Sequence, residues 1–153
     1  MLERMPINNR RSIVIAFLVG IPLAWLSIVL MGILAAIPIS GLLLELLRGH
    51  PAFAFLVHTT LLIHIPAILL AVAIGWVLFR ELRHASLPLV LACSTPWLAY
   101  RVIDELNYYF TADLSSSVKL GFMFAWYAWP GLLAVPIGLW CAAKFAAHQQ
   151  QQV

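Results

Sequence analysis

This chain is predicted to fold as an all-α polytopic membrane protein, with four transmembrane helices kinked at prolines and a short interfacial helix after the first. Three observations predict it. Of 153 residues, 63% are hydrophobic and 10% are charged, which excludes a disordered chain and is unusual for a soluble domain of this size. The apolar residues fall into four runs, at approximately 13–37, 52–79, 85–104 and 118–146. A bilayer core about 30 Å thick takes roughly 20 helical residues to cross, so each run is long enough or nearly so. The runs are also continuously apolar. Barrel strands, the other structure whose backbone is satisfied in lipid, would alternate polar and apolar residues over about ten positions. Little chain remains for a soluble unit, and residues 1–153 read as a single membrane domain.

The Lys and Arg residues orient these helices. Arg4, Arg10 and Arg11 precede the first run, Arg80 and Arg83 separate the second from the third, and Lys144 closes the fourth. The other side carries Arg48, Arg101 and Lys119. Six against three places both termini in the cytoplasm under the positive-inside rule, a pattern that suits a bacterial inner (plasma) membrane. The net charge of +3 comes from cations scattered at helix ends, which is anchoring, so no nucleic-acid partner is expected. The first run follows Arg10 and Arg11 as a signal peptide would, but at about 25 residues it exceeds the usual core of about 7–15. An uncleaved helix is expected.

The first helix carries Gly20, Ala24, Gly32 and Ala36, two small-xxx-small pairs that let helix backbones approach until van der Waals contact drives association. Pro22 is expected to bend it. Between Pro38 and Pro51, Ser40 is placed to cap a short interfacial helix reaching Arg48. Leu42, Leu43, Leu46 and Leu47 would face lipid, with Glu45 and Arg48 one turn apart on the polar side. The second helix has Ala67, Ala71 and Gly75 at four-residue spacing, and the fourth has Gly131, Ala134, Gly138 and Ala142. Both stripes suit contacts within the bundle or with a partner subunit. The third helix is short, because the uncharged residues 85–100 span only roughly 24 Å at helical rise. It must continue through Arg101, Asp104 and Glu105 to finish crossing. Trp97 lies too deep on it for an interfacial belt and is expected to be packed.

The polar groups define the candidate chemistry. Arg101 can pair with Asp104 and Glu105, three and four residues on, as an anchoring ion pair or as a binding or gating cluster near the outer boundary. On the second helix His58 would lie about 9 Å deep and His64 about 18 Å deep. Intramembrane histidines usually face the bundle interior. These two stand about 120° apart around the helix and no other helix supplies a partner, so a haem is not expected. Hydrogen bonds to carbonyls or to Thr59 and Thr60 are the simpler reading, a proton relay the sharper one. Cys93 and Cys141 fall inside helices and lack the close ligands of a zinc site. Neither a metal nor a cofactor is expected.

Phe110, Thr111, Ala112 and Asp113, followed by a small-residue helix start, resemble the second aspartate motif of lipoprotein signal peptidases. Those are four-helix proteins of similar length with cytoplasmic termini. The resemblance implies Asp104 and Asp113 as a catalytic pair on the outer face, sharing a proton to activate water. Thr111 stands where that family has asparagine, and Glu105 where it has arginine. Asp113 and residues 114–117 also supply ordinary helix-start chemistry for the fourth helix, and that account is preferred.

With no reaction constellation and small-residue faces on three helices, the expected role is that of a non-enzymatic accessory or interaction subunit. It would sit in the lipid bilayer against a membrane-protein partner or in a homo-oligomer. The alternative is a small oligomeric transporter or channel component, with His58, His64, Arg101 and Asp104 around an outward-facing polar site. A weaker one is an aspartyl membrane protease of the kind just named.

Overall fold

The computed structural model describes residues 9–111 and 129–151, and every regular element among them is helical. In chain order these are α1 (Asn9–Ala35), α2 (Gly41–Leu46), α3 (Pro51–Thr59), a π turn (Thr60–His64), α4 (Ile65–Glu81), α5 (Leu87–Thr111) and α6 (Trp129–Gln151). The segments α3, π turn and α4 follow one another without a break and form one long rod. Three rods are long and apolar enough to cross a membrane, over Arg10–Ala35, Phe53–Glu81 and Trp129–Gln149. The fourth, α5, spans 25 residues but carries Arg101, Asp104 and Glu105 in its second half. The expected start of the last helix, at 118, lies outside the described residues.

Local chemistry explains the breaks between rods. Ser40 caps α2, its extended backbone (φ −64°, ψ 138°) placing Oγ to accept from the Leu43 amide at 3.2 Å. The cap is the expected one, but the helix stops at Leu46 and Arg48 falls in the following turn. Among the described residues no ion pair joins Arg48 to Glu45. Gly49 then takes φ +96°, which a residue without Cβ adopts cheaply, and Pro51 opens α3 from its first turn.

The π turn marks a departure from the uniform helix expected over 52–79. Pro66 has no N–H to give the Leu62 carbonyl, and its ring crowds that oxygen. Just upstream, Ile65 donates five residues back, to the Thr60 carbonyl. One extra residue is thereby accommodated in the turn, so the angular offset between His58 and His64 is no longer that of an ideal α-helix. Prolines 22, 96 and 136 instead lie inside α1, α5 and α6.

The rods pack in the order α1, α5, α6, α4 and back to α1. Gly20 lies so close to α5 that a Cβ there would collide with the Cys93 carbonyl and touch the Pro96 ring at 3.1 Å. Gly138 puts α6 equally close to α4, its would-be Cβ lying 2.5 Å from the Ile68 carbonyl oxygen and 2.7 Å from Ala71. Between these seams Trp97, Phe79, Leu23, Leu89, Leu139 and Val135 are fully buried. The small-residue positions Ala24, Ala67, Ala71, Gly75, Gly131 and Ala134 are buried as well. Gly32 and Ala36 behave differently. Both are exposed, and no described residue lies within 4 Å of where a Gly32 Cβ would be.

Candidate functional site

Arg101 is the only Lys or Arg among the described residues that is not exposed, and the bundle makes room for it. Its guanidinium lies against Gly131 of α6, where even a methyl group would come within 3.0 Å of Nη2. One helical turn places Asp104 and Glu105 on the same side of α5. Nη1 donates to Asp104 Oδ2 at 2.9 Å, and Nη2 donates to Glu105 Oε1. The third donor, Nε, is buried and has no hydrogen-bond partner among the described residues. Side-chain exposure rises through the cluster from 13% at Arg101 to 21% at Glu105 and 47% at Asp104. One cation therefore faces two carboxylates along a gradient from interior to surface, and the cluster has no surplus positive charge to recruit an anion.

The two histidines separate. His58 is buried, and its Nε2 donates to the Ile37 carbonyl at 3.2 Å, which fastens the chain leaving α1 to α3. That is a structural task. His64 ends the π turn half-buried, and its Nδ1 is shielded and without a hydrogen-bond partner among the described residues. His64 and Arg101 share a neighbour in α6, which packs against the π turn and, at Gly131, against the guanidinium, while His58 is tied to a different element. Asp113 lies outside the described residues, as do 114–117 and Lys119. The Asp104 carboxylate, the other half of that pair, is held by Arg101.

Two features were not anticipated from the sequence. Ser27 on α1 is fully buried, and its Oγ also has no hydrogen-bond partner among the described residues. It continues the buried face of Ala16, Gly20 and Ala24 with helical spacing, so the pattern was present to be read. The second feature is Trp97, whose indole Nε1 donates to the Leu132 carbonyl at 3.1 Å. Leu132 stands four residues before Pro136, which has no N–H to offer it. A side chain of α5 thereby supplies to α6 the hydrogen bond that its own proline withholds, on the inner side of Arg101. Among the described residues no group of three or more His, Cys, Asp or Glu is arranged to hold a metal ion. No family model, curated protein or solved structure matches this chain.

Proposed function

We propose that this protein is a non-enzymatic, multi-pass protein of a bacterial inner membrane that acts as an accessory or interaction subunit by docking a helix face against another membrane protein or a second copy. The observation that carries this reading is the Gly32–Ala36 pair. The other small-residue positions are taken up inside the bundle, whereas Gly32 near the end of α1 and Ala36 in the turn that follows are both exposed, with no described residue within 4 Å of a Gly32 Cβ. Helix backbones in lipid associate through such small surfaces.

In this reading α5 completes four spans, bent at their prolines, with packed faces toward α1 and α6 supporting its place in the bilayer. Both termini are cytoplasmic. Arg10, Arg11, Arg80, Arg83 and Lys144 gather at the termini's end of the rods, opposed there among the described residues by the single carboxylate of Glu81. Arg80 and Lys144 lie over the Trp76 and Trp140 rings at 5.5 and 4.9 Å, as interfacial cation–aromatic pairs do. Crosslinking in the membrane followed by mild extraction tests the role. Gly32→Leu with Ala36→Leu is expected to abolish the co-extracted partner or the self-association while leaving the helical fold intact. Association surviving both changes would refute docking through this face.

A second reading, a small oligomeric transporter or channel component, is favoured by His64 Nδ1 and Arg101 Nε, which are buried and without a hydrogen-bond partner among the described residues. Proteoliposome flux should then fall at least tenfold in His64→Leu. Flux equal to that of the parent protein would remove this site from transport.

A further inference from the structure

Three buried side-chain atoms lack a hydrogen-bond partner among the described residues: Ser27 Oγ, His64 Nδ1 and Arg101 Nε. They come from three different rods, and the packing of those rods sets their turns alongside one another. α1 runs alongside α5 with Gly20 beside Cys93 and Pro96, so Ser27, two turns further on, is level with the turn that carries Arg101. α1 and α6 also pack against the π turn that ends in His64. Gly131 on α6 closes the fourth side under the guanidinium.

We propose that Ser27, His64, Arg101 and the bare backbone at Gly131 form an internal polar site in the half of the bundle away from the chain termini, which binds water or a neutral hydrogen-bonding solute of similar size. A buried polar group left unsatisfied destabilises the fold, and lipid offers no partner, so three such groups facing one region call for a shared one. Waters buried in proteins typically bridge two to four such groups. The charge balance selects the class. Arg101 already faces two carboxylates, so an anion gains nothing, while a neutral molecule can accept from Nε and from the Ser27 hydroxyl. Entry is from the surface near Asp104, along the rising exposure of Arg101, Glu105 and Asp104. On the other side the path stops at Trp97, Leu23 and Val135, all fully buried. Among the described residues the site is thus a vestibule that opens toward Asp104 and is closed at Trp97.

This inference rests on the membrane-spanning reading and not on transport, and its test separates the two. In proteoliposomes whose terminal tags report orientation, Ser27→Cys in a Cys141→Ala background is treated with a small cationic methanethiosulfonate reagent that cannot cross lipid. Thiols react as thiolates, which form only where water reaches. Ser27→Cys is expected to be modified from the side opposite the termini at least tenfold faster than the native Cys93, which lies buried beyond Trp97. No modification at position 27, or modification from the termini's side, overturns the vestibule. Should Ser27→Cys fail to fold, hydroxyl-radical footprinting of the unaltered protein decides. His64 oxidised with Trp97 protected supports the site, and both protected refutes it. A bundle extractable without detergent would instead defeat the membrane reading itself.

Discussion

Gly138→Leu is expected to break the seam between α4 and α6 and to cost more stability than the same change at Gly75 or Gly32. At position 138 the first added carbon meets the Ile68 carbonyl oxygen at 2.5 Å and the Ala71 Cβ at 2.7 Å. Backbone cannot step aside, so the two rods must separate. Overpacking of this kind costs about 1–3 kcal/mol, and the upper end applies where a whole helix moves. At position 75 the nearest atom is Leu139 Cδ2 at 2.8 Å, the tip of a side chain that can turn away, so a smaller loss is expected. At position 32 no described residue lies within 4 Å, and folding stability should hold. Denaturing-detergent titration followed by far-UV circular dichroism gives the ranking. A Gly32 variant as unstable as Gly138→Leu would mean that the outer part of α1 is packed rather than free to dock.

The same contacts show what was legible in the sequence. The helical class and the three apolar spans follow from run length and composition, because lipid leaves a backbone few alternatives. The small residues were visible as stripes, but spacing alone does not say which stripe meets which helix. Gly20 and Gly32 look alike in sequence, and only tertiary packing puts one against the Cys93 carbonyl and leaves the other bare. The Arg101 pairs with Asp104 and Glu105 were readable because they lie within one turn of a single helix. The neighbourhood of His64 and Arg101 was not, since it depends on the π turn before Pro66 and on Gly131 across the bundle. Local rules reach about one turn of helix. Beyond that, the order in which rods pack decides.

The Trp97 bond to α6 gives the second large effect, and its cause can be isolated. Trp97→Phe removes the indole donor and leaves the part-buried Leu132 carbonyl with no N–H from Pro136 to replace it. The penalty for such an orphan is about 1–3 kcal/mol, added to whatever the smaller ring loses in packing. Pro136→Ala restores a backbone N–H in helical register with Leu132, and a carbonyl can accept two hydrogen bonds, so this change alone should not harm the bond from Trp97. In the double variant the helix satisfies its own carbonyl. Trp97→Phe should therefore cost less in the Pro136→Ala background, with a coupling of about 0.5–3 kcal/mol. The packing loss is common to both backgrounds and cancels in the cycle, so the coupling reports the hydrogen bond. Equal penalties in the two backgrounds would show that Trp97 matters only as volume. A positive coupling would identify Trp97 as the residue that lets α6 carry a proline in its interior at the floor of the polar vestibule, joining α5 to α6 where the water-accessible path is expected to end.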